Sequence, residues 1–256
     1  MARVKLNGYV VSDMAGPIYQ KYGYSVIFPN MIRQAIENNP EGEDLVLELN
    51  SGGGSVFSGF EIYSVLRGAA CNTVAEIQSL AGSAASTIAC GCRQVLMSPV
   101  AQLMIHDPAT WTEGNIRDHN DSLHMLNAIK ESILNGYVSR CGEKCSRTKL
   151  RDLMSNETWL PAQRAVELGL ADGILYQDAT DPNMVINCAQ ASFRDFFTGC
   201  ALPPIEALQA REERENAAQS GEPENNPHAP AGEAPAQNND FWTRQAALDI
   251  EKNRFV

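Results

Sequence analysis

The sequence predicts an α/β fold, a sheet with helical cover, on three observations. Up to about residue 195, apolar β-branched runs alternate with helically spaced ones. Glycine or small-residue turns, Gly52-Gly53-Gly54 and Ala81-Gly82, stand between strand-like and helix-like stretches. From about residue 201 the chain turns polar, proline-punctuated and rich in Glu, Ala, Asn and Gln, so the sheet-forming part ends before it. The expected domains are residues 1–195, globular, and residues 196–256, an acidic, Pro/Ala/Asn-rich linker and tail.

Val4 to Val11 and Leu45 to Leu49 read as strands, with Phe28 to Glu37 as a helix between them. After the triple glycine comes a helical segment from Gly59 to Arg67. A strand from Thr73 to Ile77, a turn at Ala81-Gly82 and a helix through Ser86 to Cys90 repeat the pattern. Gln94 to Met97 and Gln102 to Ile105 read as strands. Ile116 to Arg140 reads as a long helix with Leu123, Leu126, Ile129, Ile133 and Leu134 near one stripe and Asp118, Asp121, Lys130 and Glu131 available for the wet face. Its length suits a projecting or docking element as well as an ordinary covering helix. Pro161 to Gly169 reads as a short helix and Gly173 to Tyr176 as a last strand. Gln219 to Asn239 has too little apolar surface to offset its ordering entropy and reads as disordered linker, and Phe241 to Val256 regains helical spacing.

With 44% hydrophobic and 20% charged residues the chain has ordinary globular composition. No apolar run approaches the roughly 20 residues that span a bilayer, and the first residues lack a signal-peptide core, so a cytoplasmic protein is expected. A net charge of −11 without a clustered basic face argues against nucleic acid as the main partner. The seven cysteines are scattered, which fits reduced thiols; neither Cys90-Gly-Cys92 nor Cys141 to Cys145 has the partners of a zinc site. No cofactor or metal is expected.

Ser86 lies in Ala81-Gly-Ser-Ala-Ala-Ser-Thr-Ile-Ala89, small residues between a strand and a helix. Such a run lets backbones approach closely and places helix N–H groups where an oxyanion forms, though tight helix-to-sheet packing gives the same composition. His106 ends an apolar strand in Gln102-Leu-Met-Ile-His106-Asp-Pro108, a rigid mount for a base; a hydrogen-bonded histidine at a strand edge reads the same way. Asn50-Ser51-Gly52-Gly53-Gly54 suits a positive-φ turn or N–H groups facing a ligand. It lacks the Gly-Lys-Ser/Thr ending of a phosphate loop.

Together these segments resemble the ClpP family of serine peptidases, including its phage-encoded head-maturation branch. Asn50 to Gly54 is similar to Asn-Ser-Pro-Gly-Gly, Gly82 to Ser86 to Gly-Gln-Ala-Ala-Ser, and Met104 to Pro108 to Met-Ile-His-Gln-Pro. Ala165-Val-Glu-Leu-Gly-Leu-Ala-Asp172 is similar to Ala-Val-Glu-Tyr-Gly-Leu-Val-Asp. The resemblance covers roughly residues 4–178. It implies a ClpP/crotonase-type fold of repeated β-β-α units with a projecting long helix, followed by a disordered, partly helical tail. It also implies Ser86 as nucleophile, His106 as base, and the N–H groups of Gly54 and Thr87 as oxyanion hole. Ser83 is the competing hydroxyl, set aside because it falls at the family's Gln. The triad acid, counted back from the Ala165 block, falls on Glu157, with Asn156 and Asp172 as neighbours to weigh.

The expected activity is therefore peptide-bond hydrolysis by a self-associated ring. Gly52 in place of Pro and the long tail favour the phage branch, which processes capsid or scaffold proteins in the host cytoplasm or the prohead. The alternatives are the proteolytic subunit of an ATP-dependent Clp protease served by an AAA+ unfoldase, a crotonase-like acyl-CoA enzyme, and an inactive scaffold.

Overall fold

The computed structural model describes residues 2–176, 189–190 and 202–220. Two compact units divide the chain, Met1–Phe193 and Arg194–Val256. In the first, strands β1 (Ala2–Val10), β2 (Val26–Ile27), β3 (Leu45–Gly54), β4 (Thr73–Gly82), β5 (Gln94–Met97), β6 (Gln102–Ile105), β7 (Thr158–Pro161), β8 (Gly173–Ile174) and β9 (Ala189–Gln190) form one sheet. Its main path runs β2-β1-β3-β4-β6-β7-β9, with β5 on β4 and β8 on β5. Pairing is parallel except where β7 joins β6 and β9.

The central strands are apolar because both of their faces need cover. Leu45, Leu47 and Leu49 of β3 and Ala75 and Ile77 of β4 are buried, with Ile62 and Leu66 of helix α3 (Val56–Gly68) and Ile88 of α4 (Ala84–Gly91) in the same core cluster. Helices α1 (Gly16–Lys21) and α2 (Pro29–Glu37) precede them; α5 (Ile116–Cys141), α6 (Arg147–Ser155) and α7 (Ala162–Leu168) follow. In the second unit the described part is α8 (Ile205–Ser220), two residues into the expected linker. The remainder of that linker and the helical reading of Phe241 to Val256 lie outside the described residues.

Strand β4 forks, and the fork positions the site. Its first half, Val74 to Ile77, pairs with β5, while Leu80 to Gly82 pair with Gln102 to Met104 of β6. The periodicity reading stopped β4 at Ile77 because Gln78 and Ser79 break the apolar run; pairing to β6 carries it five residues further, to Gly82. Strand β7 and helices α1 and α6, which periodicity does not single out, are short elements whose form is set by tertiary partners.

Helix α5 runs where the spacing placed it, held at its start by a capping box between Asn115 and Asp118. Only its second half is core: Ile129, Ile133 and Leu134 are buried, whereas Ile116 and Leu123 are exposed. Lys130, expected on the wet face, turns inward instead, donating from Nζ to Asp107 Oδ2 at 2.7 Å and to Ser155 Oγ at 2.9 Å.

Candidate active site

Two strand ends and one turn converge. Ala81↔Leu103 and Gly82↔Met104 are in register, and the Ser83 N–H donates to the Met104 carbonyl at 2.9 Å. That pairing leaves Ser83, just beyond β4, beside His106, just beyond β6. The imidazole Nε2 of His106 meets Ser83 Oγ at 2.8 Å. Ser83 is half-buried and sits at φ 52°, ψ −123°, a backbone conformation that costs a non-glycine residue on the order of 1–3 kcal/mol. A strand-to-helix turn of this kind thrusts a hydroxyl out at the head of a helix.

This corrects the expectation for Ser86. The structure does not bring Ser86 to His106: Ser86 is fully buried in the first turn of α4, where its hydroxyl donates to the Ser83 carbonyl at 2.6 Å and meets the Tyr137 hydroxyl at 2.7 Å. Ser83 is the non-helical N-cap at φ 52° and Ser86 lies inside the first turn of α4, so their side chains leave the junction in different directions. Motif similarity favoured Ser86 because the run of alanines and serines accepts more than one register. The available signal was the β4–β6 pairing, which puts the junction at residue 83.

The oxyanion expectations divide. Gly54 pairs with Val10 of β1, whose carbonyl accepts from Ser55 N–H at 2.8 Å. In a parallel ladder those bonds leave the Gly54 N–H pointing to the opposite edge of β3, the side on which β4 runs to Gly82, just before Ser83. Gly54 has φ 143°, and a Cβ there would lie 2.3 Å from the Val10 carbonyl oxygen, so the strand closes only around glycine. Thr87, by contrast, is not an available donor: its N–H bonds back to the Ser83 carbonyl at 3.4 Å, as the second turn of a helix requires. The N–H adjoining Ser83 is that of Ala84, first residue of α4, which has no intrahelical acceptor.

Gly53 packs the glycine turn against this junction. A Cβ on it would fall 2.7 Å from Ser83 Cβ, 2.8 Å from the Gly82 carbonyl oxygen and 2.9 Å from Ala84 N. Ser51, whose part the sequence did not disclose, fixes the turn from beneath: its hydroxyl donates to the Gly8 carbonyl at 2.6 Å and accepts from Gly53 N–H at 3.0 Å.

Antiparallel pairing of Ile105 with Thr158 brings Glu157, the residue before β7, to the end of the ladder where His106 follows β6. Glu157 itself has a positive φ of 44°. Burial lowers the His106 pKa below 6.5, while the nearby charges of Glu157 and then Asp107 pull it back up. The neighbours weighed for the acid are committed elsewhere. Asn156 donates to the Asp152 carbonyl at 2.8 Å and ends α6, and Asp172 accepts from Val95 N–H at 2.7 Å and pairs with Arg140. Ser83 Oγ thus meets His106, and the His106 imidazole lies within the electrostatic reach of Glu157. Among the described residues no group of His, Cys, Asp and Glu is arranged to hold a metal ion.

Residues 15–178 match the Clp protease family. Over 145 residues the chain is 28% identical to ATP-dependent Clp protease proteolytic subunit 1 of Chlamydia muridarum, covering 55% of this chain and 74% of that one. It is 30% identical over 142 residues to the protein of the same name from Chlamydia trachomatis serovar D, covering 54% and 72%. For the proteolytic subunit of Porphyromonas gingivalis the figures are 26% over 144 residues, 55% and 63%. With family match, fork geometry and paired serine and histidine in agreement, the chain belongs to the Clp protease family of serine-type peptidases.

Proposed function

We propose that this chain is a serine endopeptidase whose nucleophile is Ser83, with His106 as general base and Glu157 as the carboxylate that orients the imidazole. The 2.8 Å contact between Ser83 Oγ and His106 Nε2 carries the reading. Neutral His106 takes the Ser83 proton as Oγ attacks the scissile carbonyl, and returns it to the leaving amine. A water then repeats the sequence to release the acyl group. Glu157 stabilises the imidazolium between the two transfers. The Gly54 and Ala84 N–H groups are assigned to the oxyanion, where removing one donor typically costs about 2.7–4 kcal/mol of barrier.

In the full chain, Ser83→Ala abolishes peptide hydrolysis and labelling by a fluorophosphonate. Undiminished hydrolysis in that variant overturns the assignment. A crotonase-like acyl-CoA enzyme would not react with the fluorophosphonate, and an inactive scaffold would neither label nor cleave.

For substrate and partner, the relatives' own name supports the proteolytic subunit of an ATP-dependent Clp protease better than it supports head maturation. Processing of capsid or scaffold proteins is kept as a second reading on one observation: the chain runs to residue 256 while the family match stops at residue 178. Degradation of a folded substrate only with a AAA+ unfoldase and ATP supports the first. ATP-independent cleavage of an assembly protein at a defined site supports the second.

A further inference from the structure

Ser86 and Tyr137 take no part in the chemistry above, yet Ser86 is 0% and Tyr137 1% exposed. Hydroxyls so deeply buried need partners, and these two form a run whose direction is fixed by counting protons. Ser86 Oγ donates its one proton to the Ser83 carbonyl at 2.6 Å, so at its 2.7 Å contact with Tyr137 it accepts. The Thr87 side chain adjoins the same phenol. The run therefore goes from Tyr137 on α5 through Ser86 on α4 and ends on the carbonyl of the strained residue Ser83.

That end point matters because the Ser83 carbonyl and the Ala84 N–H belong to a single planar trans peptide and point in opposite directions. Whatever fixes the carbonyl aims the N–H. The backbone N–H groups of Ser86 and Thr87 reach the carbonyl at 3.0 and 3.4 Å, bonds any residue in a helix supplies. The Ser86 hydroxyl, at 2.6 Å, adds a shorter one that alanine could not make. Packing alone does not call for the hydroxyls, since replacing both partners of a buried hydrogen bond by apolar groups of similar shape is nearly neutral.

We infer that Ser86 and Tyr137 are positioning residues: they lock the Ser83–Ala84 peptide so that the Ala84 N–H faces the developing oxyanion while Ser83 Oγ stays on His106. Accepting the extra bond also polarises the peptide and strengthens its N–H as a donor. The inference rests on Ser83 being the nucleophile.

The test uses the full chain with Ser86→Ala, Tyr137→Phe, the double variant and Ser86→Thr. The readouts are kcat and KM on a peptide, with active sites counted by fluorophosphonate. Each single variant is expected to lower kcat per active site about tenfold with KM within about twofold, because the loss falls on transition-state alignment. The double variant should fall no further than Ser86→Ala, since Tyr137 acts through Ser86, and Ser86→Thr should recover most of kcat. The acid limb of the pH profile should not move. Unchanged kcat per active site in Ser86→Ala overturns the inference, as does a double variant that multiplies the two losses. If Tyr137→Phe fails to fold, the Ser86→Ala and Ser86→Thr pair decides alone. Ser83→Ala separates this from the reading beneath it: if that variant still cleaves and labels, the nucleophile is wrong. If it is inert while Ser86→Ala keeps full kcat, only the positioning role falls.

Discussion

Gly53→Ala tests whether the glycine turn holds the catalytic junction, because every neighbour the new methyl would strike belongs to it. The added Cβ lies 2.7 Å from Ser83 Cβ, 2.8 Å from the Gly82 carbonyl oxygen and 2.9 Å from Ala84 N, and Gly53 has φ 104°. None of these atoms is the far end of a flexible side chain. Moving from 2.7 Å to the near edge of ordinary contact, 3.4 Å, requires a displacement of about 0.7 Å shared between β3 and the Ser83 turn. Overpacking of this kind costs about 1–3 kcal/mol, to which the left-handed backbone adds about 1–2 kcal/mol, so the variant folds with a lowered Tm. Since a misplacement of about 1 Å can cost about 100-fold in rate, a shift of this size at the nucleophile should lower kcat/KM by about 10- to 100-fold. Fluorophosphonate labelling measured beside thermal melting reads both quantities. Wild-type labelling kinetics in Gly53→Ala would refute the claim that this glycine sets the position of Ser83.

The pH profile follows from the His106 environment. As the proposed base, His106 works only when neutral, and burial holds its pKa below 6.5, so kcat/KM should be full at neutral pH and fall as pH drops through a value below 6.5. Glu157→Gln removes an influence that raises that pKa, so the acid limb should move lower still while kcat falls; an upward move in the pH–rate profile contradicts the placement of Glu157. For the core, Leu134→Ala removes a fully buried side chain where α5 joins the sheet domain and should cost about 2–5 kcal/mol in denaturant unfolding. A cost under about 1 kcal/mol would mean that the second half of α5 is not packed as described.

Period and turn chemistry made most of the sheet legible. Leu45 to Leu49 and Thr73 to Ile77 are continuous apolar runs because the central strands are covered on both faces, and Ile116 to Arg140 shows helical spacing because Ile129, Ile133 and Leu134 must meet the core. What stayed hidden depends on pairing between distant segments. Gln78 and Ser79 look like the end of a strand until β6 arrives to continue it, and Thr158 to Pro161 is too short to announce itself. At the site, His106, Glu157 and Gly54 stand out in the sequence because each sits in a block of distinctive residues. Ser86 was preferred to Ser83 because both lie in one small-residue run, and residue type does not say where a strand stops and a helix starts.

The division of labour between those two serines follows from the geometry of the junction. At residue 83 the chain leaves β4 with its N–H tied to Met104 and its side chain half-exposed beside His106, so a hydroxyl there meets both base and solvent. Three residues later the helix has turned the next serine into the core, where no base and no substrate reach it. Exchanging their roles would require α4 to begin one turn later, breaking the bonds from Ser86 and Thr87 N–H to the Ser83 carbonyl and leaving the Tyr137 hydroxyl without Ser86 in a buried site. The same requirement explains why small residues crowd Ala81 to Ala85. Gly53 must lie against Ser83 and Ala84, and Gly59 of α3 comes so near α4 that a Cβ there would sit 3.2 Å from that of Ala84. Close packing therefore does not compete with catalysis as an account of this run: it is the means by which a strained serine is held against its histidine.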